Sequence, residues 1–314
     1  MITSLTRRSF IATTALTAAS FGLPRGAWAV MRRPLLLTAT SRTLDIDGRA
    51  ATVWGLVNAQ GSIGLTLNPG QRFRVDLTNA LDVDTIIHWH GQIPPNAQDG
   101  VPDIPLPMLK PGERREFDFE PIPGTYWMHS HVPVQEMQLL AAPLIVRGAA
   151  DLTADRQEVV MFLHDFTFRP AAEVLAEITG GDGSMAGMDM GEVPPARAPE
   201  GTTSMDMGGM SGMAMELNDF NFDAYLANDR TLSDPEVVVV ENGGRVRLRI
   251  INAAAATVFW IDTGAVEGRL VAVDGHDVQH LVGHRFGLAM GQRLDIELDL
   301  PNGEGAFPDR KSVV

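Results

Sequence analysis

The chain has 314 residues and a formal net charge of -14; 45% of residues are hydrophobic, 20% are charged, and there is no Cys. This balance suits a globular protein of about two domains, and the acidity argues against a nucleic-acid partner, which would call for a basic patch. Without Cys there are no disulfides, thiol nucleophiles or Cys-bound structural zinc sites, and no blue-copper centre, which needs a thiolate beside two imidazoles.

The first segment reads as an export signal. Arg7-Arg8-Ser9-Phe10 precedes an apolar, small-residue stretch from Phe10 to Leu23, and Ala27-Trp28-Ala29 follows as a small-x-small cleavage pattern. The paired arginines resemble a twin-arginine signal over residues 1–29, which predicts a periplasmic or secreted protein. The other reading is a helical membrane anchor, but the apolar stretch is short and ends at a cleavage site. No internal apolar run reaches bilayer-spanning length, so no membrane span is expected.

From Pro34 to Val146 the chain reads as successive short strands. Ala51–Val57, Arg72–Thr78, Arg115–Phe119, Thr125–Met128 and Ala142–Val146 are β-rich runs, and Arg72–Thr78 alternates polar and apolar residues with the period of a half-buried strand. Leu67-Asn68-Pro69-Gly70 and Leu109-Lys110-Pro111-Gly112 are turns that launch strands. A second unit begins near Glu158 with the apolar run Val159–Leu163. It continues through Val237–Val240, Arg245–Ile251, Val258–Ile261, Leu270–Val273 and Leu294–Leu298. Val237–Leu248 echoes Leu65–Val75, which predicts two copies of one β-sandwich.

Residues 179–216 interrupt the second unit with Gly, Asp, Ser and eight of the 15 methionines: Met185, Met188, Met190, Met205, Met207, Met210, Met213 and Met215. Low complexity predicts a loop. Thioethers favour Cu(I), so the loop is either a cuprous-ion site or a linker whose methionines are incidental filler.

Four of the eight histidines form two His-x-His pairs, His88-Trp89-His90 and His129-Ser130-His131. Residues i and i+2 of a strand share a face, so each pair offers two imidazoles to one side, and two adjacent strands would gather four. Neutral imidazole suits copper, zinc, iron and nickel. His164, His276, His280 and His284 lie in strand–turn–strand patterns and read as structural or surface residues.

Here the pattern becomes specific. His88-Trp89-His90-Gly91, Asp99-Gly100-Val101-Pro102, Pro111-Gly112 and Gly124-Thr125-Tyr126-Trp127-Met128-His129-Ser130-His131 resemble the first domain of multicopper oxidases, a family that includes laccases and bacterial copper-resistance oxidases. The match runs from about Val53 to Val146, and the second half resembles the family's copper-free second domain. The resemblance implies an all-β chain of two tandem cupredoxin-like Greek-key β-sandwich domains, over residues 30–150 and 151–308. It also implies copper: in the family, His-x-His pairs from the first and last domains hold a trinuclear cluster. By position His88 resembles a type 2 copper ligand, and His90, His129 and His131 resemble type 3 ligands. Asp99 resembles a carboxylate that assists proton delivery, although on turn chemistry it reads equally as a turn residue before Gly100. Trp89 and Trp127 are expected to point away from the metals.

The implied reaction is one-electron oxidation of a small-molecule (phenolic) or Cu(I) reductant, coupled to reduction of dioxygen to water. Type 1 copper and the late His-Cys-His motif belong to the family's third cupredoxin domain, and this chain has no Cys. The expectation is therefore an N-terminal fragment without that third domain, inactive by itself, whose last residues 309–314 are a non-native tail left by a shortened gene. A non-catalytic exported copper-binding protein is the alternative. A trimerising two-domain oxidase would need a Cys-containing site in each chain, which the composition opposes.

Overall fold

The computed structural model describes residues 33–178, 220–303, 305 and 310–313. The expected signal over 1–29, the Met-rich segment 179–216, and Asp309 and Val314 of the expected tail lie outside the described residues.

The first half contains eight strands: β1 (Leu35–Ile46), β2 (Arg49–Asn58), β3 (Leu65–Leu67), β4 (Phe73–Asn79), β5 (Ile87–His90), β6 (Arg114–Phe119), β7 (Gly124–Ser130) and β8 (Ala141–Val146). They form two four-stranded sheets, ordered β2-β1-β4-β6 and β3-β8-β7-β5. The alternation that marked Arg72–Thr78 as a half-buried strand has its cause in this sandwich. Phe73, Val75 and Leu77 are fully buried, facing a core that also takes Leu37, Leu56 and Phe117 from the same sheet and Trp89, Tyr126, Met128 and Leu144 from the other. Inward-facing residues of two packed sheets make such a core.

The second half contains β9 (Gln157–Phe166), a short helix α1 (Ala171–Ile178), β10 (Ala224–Ala227), β11 (Arg245–Asn252), β12 (Phe259–Asp262), β13 (Gly268–Val273), β14 (His276–Gly283), β15 (Arg285–Leu288), β16 (Arg293–Asp299) and β17 (Arg310–Val313). A six-stranded sheet runs β10-β9-β11-β16-β13-β14, and a three-stranded sheet runs β15-β12-β17. The internal echo is visible in the pairing. β2 is antiparallel to β1, β1 parallel to β4, and β4 antiparallel to β6. β10, β9, β11 and β16 repeat that order and those directions. Both halves are thus the cupredoxin-like sandwich that the motifs imply.

One expected strand is not formed. Val237–Val240 lies outside every described strand, with Val237 and Val239 exposed at 82% and 86%. Its counterpart β3 is held by parallel pairing with β8, Leu65 opposite Leu144. Among the described residues no strand pairs with Val237–Val240, and a β-branched run has strand propensity only where there is a sheet to join.

The halves share buried contacts. Ile46, Ala51, Val53 and Leu139 pack with Phe166, Ala224 and Leu226. Trp127, Ala141 and Ile145 pack with Phe162, Ile251 and Ala253. Beside these lies a charged knot around Arg249, whose side chain is almost completely buried. It bonds Glu158 Oε1 at 2.9 Å, Asp295 Oδ2 at 3.0 Å and the Thr125 hydroxyl at 3.0 Å, and pairs with Asp151 at 3.1 Å.

Candidate metal centre

β5 and β7 are antiparallel neighbours, with His88 opposite His129 and His90 opposite Trp127. Strand alternation does the sorting. Trp89 and Met128 turn into the first-half core, and Trp89 is fixed there by Phe73, Phe117 and an indole N–H bond to the Gln98 carbonyl at 2.9 Å. His88 and His90 take the other face. His131, just beyond β7, stays against β5 through a long backbone bond to the Ile86 carbonyl, 3.4 Å.

The four imidazoles converge. The His88 ring centroid lies 5.8, 5.5 and 4.9 Å from those of His90, His129 and His131. One ligand atom from each of His88, His129 and His131 falls within a 4.8 Å cluster. His90 joins through Nδ1, 3.1 Å from Nε2 of His129.

Burial disfavours the charged form of three of these rings, His88, His90 and His131. It pushes His88 below the usual imidazole range, against the pull of Asp99. It also lowers His131, helped by His129 and opposed by Glu136 and Asp99. His90 is pushed down to about 3, by burial first and then by the Arg293 guanidinium and the neighbouring imidazoles. Rings held neutral keep a lone pair for a metal. A set of imidazole nitrogen donors with no thiolate fits copper, and fits zinc, nickel or iron by the same chemistry.

Asp99 lies beside the cluster. His88 Nδ1 is 3.0 Å from the Asp99 carbonyl oxygen and 3.2 Å from its carboxylate. The Asp99 backbone caps a short 3-10 turn, Asn96–Gln98, and Gly100 follows at φ +80°. A Cβ on Gly100 would sit 1.8 Å from the Ile87 carbonyl oxygen, so only glycine lets this loop press against β5.

Trp127 corrects an expectation. It does not point away from the imidazoles: it stacks on His129 at 4.1 Å between centroids and on His90 at 4.9 Å. Trp127 has the same parity as His129 on β7, so alternation itself places it on the ligand face. Two further contributions come from the second half. Arg293 of β16 donates to the Thr125 carbonyl at 3.3 Å and the Asp274 carbonyl at 3.1 Å, and crowds Gly91, the glycine that ends the first His-x-His segment. Gly291 approaches the His90 ring so closely that an added Cβ would lie 3.3 Å from it. The remaining histidines stay outside the cluster: His164 is buried edge-on against Phe162, and His276, His280 and His284 are exposed.

Among the described residues no helix is long and apolar enough to cross a membrane.

Sequence and structure comparisons find relatives for both halves of the chain. Two family models described as multicopper oxidase match residues 38–151 and 158–308. Copper resistance protein A of Escherichia coli is 26% identical across 97% of this chain and 54% of its own length. A multicopper oxidase of Mycobacterium tuberculosis is 27% identical across 87% of this chain and 52% of its own length. The chain thus spans about half the length of these relatives. The crystal structure of a multicopper oxidase from Pseudomonas thermotolerans superposes with a TM-score of 0.68 at 24% identity, covering 88% of this chain and 60% of that one; that of Fet3p, a multicopper oxidase that functions in iron import, gives 0.65 at 18% identity, covering 85% and 45%. Such identities carry the fold, and the two family models, which between them cover nearly all of residues 38–308, carry the kinship. With its two sandwiches and its paired His-x-His strands, the chain belongs to the multicopper oxidase family.

Proposed function

We propose that this chain supplies one half of a trinuclear copper site in an exported oxidase. That oxidase couples one-electron oxidation of a phenolic or cuprous reductant to reduction of dioxygen to water. The convergence of His88, His90, His129 and His131 on one face of two adjacent strands is the observation that supports this reading. His88 serves as the type 2 ligand, and His90, His129 and His131 as type 3 ligands. Bound copper would supply the one-electron chemistry.

The chain's own residues bind, orient and handle protons. β5 and β7 set the spacing of the imidazoles, and Trp127 shields two of them from water. Asp99, whose carboxylate reaches His88 Nδ1, is the group placed to hold or deliver the protons that dioxygen reduction consumes, four for each molecule reduced to two waters. The His-x-His pairs that would complete the cluster, and a Cys-containing type 1 site, are not among these 314 residues. By this reading the electron entry point lies in a third cupredoxin domain, and export uses the twin-arginine pattern at Arg7-Arg8. The domain limits that go with it are residues 30–150 and 151–308.

The test is titration of the purified chain with Cu(II), alongside His88→Ala, His90→Ala, His129→Ala and His131→Ala. Copper binding that each substitution weakens, with no dioxygen uptake by the chain alone on a phenol or Cu(I), is the expected result. Binding unchanged in all four variants refutes the site. The second reading, a non-catalytic exported copper-binding protein, shares the half-site. It prevails if the chain holds copper tightly and the gene ends naturally after Val314.

A further inference from the structure

Two of the four imidazoles carry the same device. His88 directs Nδ1 at a backbone carbonyl and a carboxylate, both from Asp99. His129 does the same with different partners: its Nδ1 lies 3.0 Å from the Ser130 carbonyl oxygen and in direct contact with the Glu136 carboxylate. Its Nε2 points the other way, toward His90.

Glu136 is not a loose surface acid that happens to reach inward. It opens a 3-10 turn, Glu136–Gln138, which closes with a 2.8 Å bond from Leu139 N–H to the Glu136 carbonyl. The residue before it, Gln135, is buried and bolts the turn to the sheet. Its Oε1 accepts from the hydroxyls of Thr85 and Ser130, each at 2.7 Å, and its Nε2 donates to the Asp84 carbonyl at 2.9 Å. On the far side, Ser130 N–H bonds the Leu140 carbonyl at 3.0 Å. The turn that carries Glu136 is therefore tied to the residue between His129 and His131.

Resting on the copper site proposed above, we propose that Glu136 is a positioning residue: its carboxylate takes the Nδ1–H of His129 and presents Nε2 as the donor atom to the cluster. A ligand imidazole whose other nitrogen bonds a carboxylate is locked in tautomer and ring orientation and is a more basic donor. The carboxylate also brings negative charge to a centre whose four imidazoles contribute none. Outer partners of this kind are worth roughly 10–100-fold in metal affinity.

The experiment uses the full chain with Glu136→Gln, Glu136→Ala and His129→Ala, and has two readouts. The first is the tautomer of His129 in metal-free protein, from long-range proton–nitrogen NMR of the ring. The second is Cu(II) affinity by competition with a chelator. The expected result is a His129 ring protonated at Nδ1 in the unsubstituted chain, retained in Glu136→Gln, whose amide oxygen still accepts, and mixed in Glu136→Ala. Copper affinity should fall roughly 10–100-fold in Glu136→Ala and less in Glu136→Gln. A His129 tautomer indifferent to Glu136→Ala overturns the proposal, and so does copper affinity that drops in His129→Ala but not in Glu136→Ala. If the unsubstituted chain binds no Cu(II) while the tautomer still responds to Glu136→Ala, the copper reading falls and the hold of Glu136 on His129 stands.

Discussion

His90 Nδ1 and His129 Nε2 lie 3.1 Å apart, so imidazoles from two neighbouring strands aim at one point. Two nitrogens bound to a single ion at ~2.0 Å each sit about 3 Å from one another. Under the copper reading proposed above, the pair has the spacing of two donors to one ion, and removing either member should forfeit most of what the pair provides. We expect His90→Ala and His129→Ala each to lower Cu(II) affinity, and the double variant to lower it by far less than the two losses combined. A double-mutant cycle measures this, and additive losses would assign the two rings to separate ions.

Trp127, stacked on both of those rings and 3% exposed, should couple stability to the site. Trp127→Ala opens a cavity in the cluster shared with Phe162 and Ile251 and should cost about 3–5 kcal/mol. It should also weaken copper binding, although it removes no ligand. Trp127→Phe keeps a stacking face and should lose less of both. Urea unfolding beside a copper titration would show it, and a variant that loses stability yet binds copper as before would reduce Trp127 to packing alone.

Gly100→Ala puts a methyl where the Ile87 carbonyl already sits. The backbone must move, either carrying Asp99 away from His88 or bending β5. The expected outcome is weaker copper binding together with a lower Tm, read by calorimetry with and without Cu(II). A variant with the original Tm in both states would mean that the loop is free to shift.

The knot around Arg249 predicts a pH dependence. Burial raises the Asp151 carboxyl, but the Gly148 N–H and the guanidinium groups of Arg249, Arg247 and Arg156 outweigh it, and the net shift is downward from 3.8. A carboxyl depressed by folding stabilises the protein fully above its unfolded value, and the contribution is lost as pH falls through the folded value. Asp151→Asn should therefore cost about 3 kcal/mol at pH 7, as expected for removing one partner of a buried charge cluster. The gap to the unsubstituted chain should close as pH drops below 3.8. Unfolding free energies across pH 3–7 decide it; a constant gap would place the stabilisation in hydrogen bonding rather than charge.

Much of the site was legible because strand alternation and the His-x-His spacing are the same geometry written twice. Once β5 and β7 are neighbours, four imidazoles must meet, and the glycine of Asp99-Gly100 follows from its turn. The errors have equally local causes. Trp127 lies on the imidazole face and not the core face expected of it, because it shares the parity of His129. Val237–Val240 has the composition of a strand, but pairing depends on a neighbour that no local pattern announces. Glu136, Gly291 and Arg293 carried no signal, because they reach the imidazoles through a tight turn and from the other sandwich, at separations that spacing within a motif cannot encode.

The hydroxyl of Thr125, four residues before His129, donates to Asp295 at 2.6 Å and accepts from Arg249 at 3.0 Å. Both partners lie on strands more than a hundred residues further along the chain. As the polypeptide leaves the ribosome, β7 therefore emerges well before its anchors have been translated. β7 is thus made early and braced late: the hydrogen bonds of Thr125 form only once β11 and β16 are in place. The second sandwich, which contributes no imidazole to the cluster among the described residues, thus braces the strand that carries His129.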